Sequence, residues 1–261
     1  MMAMALNNGE ILNLKSNFHS PFPIINAVAE NKQDGNIYIL PDCIIVMHKC
    51  GFAYCEPKSK EVNYNNVVEY VLEQNTLPPY FHVYDAPPAL VAAFSTHKAT
   101  FNLKERKRIQ LKFSGDQQRL ERKLLPQGFV VEPITVNNIN ALAIFNLQLE
   151  EKFWRSAEDF LQHGFGYAVF SKDGAAAALC YGASIAGNEA EIDVATMPDY
   201  RQQGLAKIAL GAFMQHCIKN NIKPNWDCFE DNIGSLNTAK SLGFKEVNAF
   251  NFLSIYKVLS T

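Results

Sequence analysis

Between Asp193 and Ala206 the chain reads Asp-Val-Ala-Thr-Met-Pro-Asp-Tyr-Arg-Gln-Gln-Gly-Leu-Ala, an order of residue types suited to capturing a phosphate. An apolar strand runs into Pro198, a short loop carries Arg201 and Gly204, and a helix opens at Leu205. The first N–H groups of a helix have no acceptor within it and lie at the positive end of its dipole, so such a loop points several donors at one anion. Gly204 allows an anion to approach the backbone with no Cβ in the way. Ala206 keeps the next turn small, and Arg201 adds a charge-assisted donor. Backbone donors from Gln202, Gln203, Gly204, Leu205, Ala206 and Lys207 complete the cradle. Taken alone the pattern has several possible owners, because glycine at a loop–helix junction also serves turn geometry.

A second chemical feature lies just upstream. Glu191 and Asp193 are two apart on the strand that enters the loop, so both project from one face. Either suits a general base; the alternative for each is a cap or an ion pair with a neighbour. Glu189 lies further from the loop. Trp154, Phe165 and Tyr167 supply aromatic surface for a substrate pocket, and their spacing suits ordinary helix and strand packing equally well. Cys228 offers a nucleophile, against the plainer reading of a buried structural thiol. His48, Cys50 and Cys55 are too loosely spaced for zinc, with no second Cys/His pair to answer them, so no metal is expected.

The whole chain bounds these readings. It has 261 residues, 48% hydrophobic and 19% charged, which is the composition of an ordinary globular protein of one large or two medium domains. A net charge of -2 argues against a partner held by bulk charge, so neither nucleic acid nor membrane is expected. The run Lys104 to Lys123 is rich in Lys and Arg, but Glu105, Asp116 and Glu121 interrupt it, as on a solvated surface. No segment reaches the roughly 20 apolar residues of a membrane span. Residues Met1 to Asn8 lack the plan of a signal peptide, so a cytoplasmic location with six reduced cysteines is expected.

The elements that must position the loop fall into two halves, divided at Pro126-Gln127-Gly128 into domains 1–125 and 126–261. In the first, 35–40, 43–47, 51–55 and 80–84 read as strands, with helices over 64–74 and 89–96. In the second, 129–133, 167–170, 176–185, 190–197, 225–228 and 250–258 read as strands. Helices are expected over 136–149, after Ser156, over 205–219 and over 232–242. The 136–149 helix should bury Ile139, Leu142, Ala143 and Leu147. The helix after the loop should bury Leu205, Ile208, Ala209, Ala212 and Phe213. The expected class is α/β (α+β).

After the loop come a strand and then Asn232-Ile233-Gly234-Ser235-Leu236-Asn237-Thr238-Ala239-Lys240-Ser241-Leu242-Gly243-Phe244. With the Arg201-x-x-Gly204-x-Ala206 loop, this order and spacing resembles the GNAT acyltransferase superfamily. Phe153-Trp154, Gly164 to Tyr167, Ile192 to Thr196 and Pro224 to Cys228 are similar to the zwittermicin A resistance-type acetyltransferases. The resemblance covers 126–261 well and the first half loosely. It implies a splayed, mixed, mostly antiparallel sheet flanked by helices, and acetyl-coenzyme A as the acyl donor. It places the pyrophosphate on Arg201 to Lys207, the pantetheine arm along Val194, Ala195 and Thr196, and Asn232 and Ser235 on the other wall. A small-molecule amine would attack the thioester in a ternary complex, with Glu191 and Asp193 as the catalytic candidates and Glu191 favoured as base over a mere cap or ion pair. Many relatives carry a Tyr acid seven residues after the helix-opening Asn, where this chain has Ala239. The alternatives are a non-catalytic coenzyme A-binding module and transfer of a longer acyl chain. The Pro79-to-Asp85 strand echoes Pro224 to Glu230, so the first half is expected to be a degenerate GNAT-like unit without a phosphate loop, walling the acceptor site.

Overall fold

The structure, a computed structural model, describes residues 18, 20–73, 80–115, 125–145 and 152–258. The expected helix positions at Gln74 and 146–149, including Leu147, and the 116–123 part of the basic run lie outside the described residues. The elements run α1 (Pro23–Ala29), β1 (Gly35–Ile39), β2 (Cys43–His48), β3 (Phe52–Pro57), α2 (Asn65–Glu73), β4 (Tyr80–Tyr84) and α3 (Pro88–Ser95). They continue through β5 (Phe101–Phe113), β6 (Phe129–Pro133), a 3-10 helix (Ile139–Phe145), α4 (Ala157–His163), β7 (Gly166–Ser171), β8 (Ala176–Ala186) and β9 (Glu189–Thr196). A 3-10 turn (Pro198–Tyr200), α5 (Leu205–Lys219), β10 (Lys223–Phe229), α6 (Ile233–Ser241) and β11 (Phe244–Lys257) complete the chain.

The chain packs as two units, Met1–Arg108 with Ala249–Thr261, and Ile109–Asn248. This differs from the division expected at 125/126. β5 is one 13-residue strand whose first part belongs to the first unit and whose end belongs to the second. The last strand returns the other way: Phe252 to Tyr256 pair antiparallel with Tyr84 to Tyr80. A turn signal such as Pro-Gln-Gly marks where a chain bends, whereas strand pairing decides which core the flanking segments join.

In the first unit the strand order is β1-β2-β3-β4-β11. The first three strands form an antiparallel meander, and β4 then joins β3 in parallel. Parallel neighbours need a crossover, which α2 supplies. Val67 and Val71 of α2 pack in one core with Leu90 and Phe94 of α3 and with Met47, Phe81 and Val83 of the sheet. An apolar cavity of about 20 Å³ remains there among Tyr38, Tyr54, Tyr70, Phe81 and Phe94. The sequence reading missed α1, whose seven residues are all buried. A helix buried on every side shows no amphipathic period to read.

In the second unit the order is β5-β10-β9-β8-β7-β6. β6 to β9 form an antiparallel meander, α5 crosses over, and β10 joins β9 in parallel. The helices at Ser156 and Asn232 begin where expected, each capped by a side-chain oxygen accepting the N–H three residues on: Asp159 N at 3.1 Å and Ser235 N at 3.1 Å. The 136–149 helix is a 3-10 helix over Ile139–Phe145 in its described part, with Leu142 buried. On α5, Leu205, Ala209 and Phe213 are buried as expected, while Ile208 and Ala212 are only half-buried. Leu210, Met214 and Cys217 are buried as well. The helix packs along β7, β8, β9 and β10, so it buries a wider arc than one amphipathic stripe.

β8 is the central strand of the meander and is buried at ten of its eleven positions. Gly166 on β7 approaches it closely: a Cβ there would stand 2.7 Å from Tyr181 Cβ and 3.0 Å from Cys180 O. Replacing Gly166 with Ala should therefore cost about 2 kcal/mol through overpacking. Urea denaturation should show a lowered midpoint with an unchanged slope.

Candidate active site

The site begins at the loop. Gly204 caps α5 in the left-handed region at φ 78, where an added Cβ would meet nothing within 4 Å. Gln202, also left-handed at φ 63, turns the chain just before it. Arg201 N is satisfied by Pro198 O, and Gly204 O accepts from Lys207 N and Ile208 N at 3.1 and 3.3 Å. Among the described residues no acceptor takes the N–H groups of Gln202, Gln203, Gly204, Leu205 or Ala206. Five successive backbone donors thus remain at the open end of a 15-residue helix, beside the exposed Arg201. Lys207 follows them, with its own N–H already turned into the helix.

Leading into the loop, the parallel ladder of β9 with β10 runs only through Lys223↔Glu189, Pro224↔Ala190 and Asn225↔Glu191. β9 nevertheless continues to Thr196 and β10 to Phe229. Beyond Glu191, β9 pairs with β8 on its other side, through Val194↔Cys180, Ala195↔Leu179 and Thr196↔Ala178. The ladder opens at the level of Glu191, on the edge where an extended ligand can add as a strand.

Glu191 and Asp193 share a face, as their spacing requires. Ala190, Ile192 and Val194 belong to the core under α5, so the two carboxylates project from the opposite side of the sheet. Glu191 is buried, and its Oε2 accepts from Asn225 Nδ2 at 2.7 Å. Asn225 Oδ1 in turn accepts from Gln110 Nε2 at 3.3 Å. Asp193 Oδ2 accepts from the Tyr181 hydroxyl at 2.8 Å. Burial pushes the Tyr181 phenol far above its ordinary value, and the Asp193 charge adds to that, so the phenol stays a proton donor. The β8–β9 register shifts between Gly182 and Ser184, and this bulge sets Ser184 opposite Glu191. The bulge is held on both sides: Gly182 O accepts from Trp154 Nε1 at 3.1 Å, and Gly182 N donates to Phe165 O at 3.0 Å.

The structure does not gather the three aromatic candidates around the carboxylates. Trp154 is 1% exposed and packs edge-on to Phe160, which meets Tyr181 in turn. Phe165 stacks on Phe213 and on His216 of α5, and the Tyr167 hydroxyl lies 3.2 Å from His216 Nδ1. Both therefore face α5, across the sheet from Glu191. Burial and nearby Lys219 hold the His216 imidazole below its ordinary value.

On the other wall, Asn232 caps α6, while the Ser235 hydroxyl accepts from Trp226 Nε1 at 3.1 Å. Substituting Asn232 with Ala should cost about 1 kcal/mol, measurable as a lowered thermal midpoint. Ala239 is fully buried in the second unit's core with Leu236, so position 239 packs inward. Cys228 is buried in the same core, as the plainer reading had it. Among the described residues no group of three His, Cys, Asp or Glu comes together to hold a metal. Sequence reasoning missed Asn225, Gln110 and Tyr181. The available signal was an Asn and a Gln inside strands, where burial demands a hydrogen-bond partner.

Comparison with known proteins bears on both units. A family model described as GNAT acetyltransferase matches residues 43–253. An uncharacterized N-acetyltransferase of Bacillus subtilis, YdfB, is 35% identical over 126 residues, which is 48% of this chain and 48% of that protein. The match thus spans about half the length of the curated relative. Among solved structures, a GCN5-related N-acetyltransferase-like protein from Streptococcus suis superposes with a TM-score of 0.72 at 19% identity, covering 95% of this chain and 97% of that one. A tandem GNAT protein from the clavulanic acid biosynthesis pathway gives 0.65 at 12% identity, covering 99% and 98%. At these identities the structural likeness speaks for the fold. The family match begins in β2, so it reaches well into the half that the sequence motifs touched only loosely.

Proposed function

The chain belongs to the GNAT acetyltransferase family, and on that premise we propose that it transfers an acetyl group from acetyl-coenzyme A to a primary amine of a small molecule. The observation that carries this reading is the succession of two features along the chain: the ladder that opens beside Glu191 on β9, and five acceptor-free N–H groups at 202–206 in the loop and helix start that follow. The residues fit the donor. The pyrophosphate would take the N–H groups of 202–206 with Arg201 alongside, and the pantetheine arm would add along Val194, Ala195 and Thr196. The thioester supplies the acetyl group. Asn232 and Ser235 act mainly by fixing the start of α6.

An amine is an ammonium near neutral pH and has no lone pair to attack with until a proton leaves. Glu191 is the acceptor for that proton, held with one oxygen already hydrogen-bonded and the bulge opposite it. Asp193, engaged by a phenol that keeps its proton, shapes the charge nearby. The zwittermicin A resistance-type resemblance rests on Phe153-Trp154, Gly164 to Tyr167 and Pro224 to Cys228, and makes a small antibiotic-like amine the first acceptor class to try.

The first unit is proposed to be a degenerate copy of the second. Its parallel ladder runs Phe52↔His82, Ala53↔Val83 and Tyr54↔Tyr84, to the last residue of β4, so that β3 runs on to Pro57 with no continuing partner strand to form the second edge of a cleft, as β10 does beside β9. The link from β3 to α2, residues 58–64, contains no glycine and no Arg-x-x-Gly-x-Ala pattern. It therefore has no donor site.

Free-thiol release from acetyl-coenzyme A across an amine panel tests the reading. Amine-dependent release with matching acetylated product is expected. Tight coenzyme A binding with no turnover would favour a binding module, and preference for longer thioesters would favour another acyl group.

A further inference from the structure

Three buried polar side chains cross three neighbouring strands to end on Glu191. Gln110 of β5 is 3% exposed, Asn225 of β10 is 1% exposed and Glu191 of β9 is 8% exposed. Gln110 Nε2 donates to Asn225 Oδ1, and Asn225 Nδ2 donates to Glu191 Oε2. Buried polar groups of this kind are retained only when paired, and each amide can face two ways. With Gln110 donating, the oxygen of Asn225 points toward β5, so its NH2 must point at the carboxylate. A protonated Glu191 that turned its O–H toward Asn225 would need that amide to turn over, and the Gln110 amide with it. Both turns would happen among side chains that are at least nine-tenths buried.

We infer that Gln110 and Asn225 are positioning residues that hold Glu191 as an oriented carboxylate, poised to take a proton. The inference rests on the reading of Glu191 as the base, but concerns how that carboxylate is kept ready. Other groups act on it as well. Glu189 and Asp193 flank it on the same face of β9, and their charges favour its protonated form. Lys112 of β5 is 4.0 Å from Glu189 and offsets part of that. Asp227 shares the face of Asn225 on β10, while Tyr181 on β8 donates to Asp193. Against these neighbouring carboxylates, the hydrogen bond donated by Asn225 favours the ionised form.

The test reads the proton on Glu191 directly, with no need of an acceptor. In the full chain labelled with 13C at the glutamate carboxyl, the Glu191 resonance is the one lost in Glu191→Gln. Its titration midpoint should rise by about one pH unit in Asn225→Leu. It should rise by a smaller amount in Gln110→Leu, where the Asn225 amide is no longer fixed. A midpoint unchanged in Asn225→Leu overturns the inference. If that variant does not fold, an unchanged midpoint in Gln110→Leu overturns it instead. The base reading fails separately: Glu191→Gln would then keep full turnover, whatever the two amides do to the titration.

Discussion

Gly204→Glu should abolish coenzyme A binding while leaving a folded protein. Three effects act together. The residue sits at φ 78, where a side chain costs about 1 kcal/mol. The new Cβ meets no protein atom within 4 Å, so it intrudes only on the space in front of the five N–H groups. The added carboxylate then places negative charge where the pyrophosphate must go, at the end of a helix dipole that now binds the protein's own side chain. Affinity should fall by at least about 100-fold in calorimetry, a loss of about 2.7 kcal/mol. Cooperative unfolding should persist, because the added Cβ meets no protein atom within 4 Å. Unchanged affinity would remove the loop from the donor site.

The second large effect is expected at Glu191. Replacing it with Gln keeps size and hydrogen-bonding capacity but removes the proton acceptor. Turnover should drop about 100-fold, with donor affinity unchanged, since the loop lies beyond the end of β9. The pH profile separates a base from a structural carboxylate. A base works ionised, so wild-type turnover falls as pH drops through the Glu191 titration. In Glu191→Gln that acidic limb should vanish, leaving only the acceptor's own ionisation at higher pH. An unaltered limb at full rate would pass the role to Asp193 or to water.

The geometry of the proposed donor half of the site was legible from sequence because it is local. Strand, Pro turn, Arg201, Gly204 and helix follow one another, and Asn232 with Ser235 reads as a cap from spacing alone. Several strands were also plain, as at Tyr80–Tyr84 and Phe129–Pro133, whose bounds match those expected, whereas β5 (Phe101–Phe113) was not expected as a strand, its Lys and Arg residues reading as a solvated surface. What was not legible is non-local. Gln110 and Asn225 are 115 residues apart, Asn225 and Glu191 34 apart, and nothing in the chain says that β5 lies beside β10. The same cause hid the exchange of strands between units, in which β11 joins β4. The aromatic candidates misled for a related reason. Phe165 and Tyr167 lie on the side covered by α5, and which side that is follows from non-local pairing with β8, where Tyr167 stands opposite Cys180 of the same core. Burial in the second unit's core also claims position 239, so the alanine there fills a core site.

In the proposed function, one loop and one strand edge hold the acyl donor. Amide hydrogen exchange with and without coenzyme A tests it most directly. In the free protein the N–H groups of 202–206 have no acceptor and should exchange rapidly. Saturating coenzyme A should protect residues 202–206 strongly and 194–196 measurably, with little change in 35–73 of the first unit. Protection confined to the first unit, or none at 202–206 under saturating coenzyme A, would contradict the account.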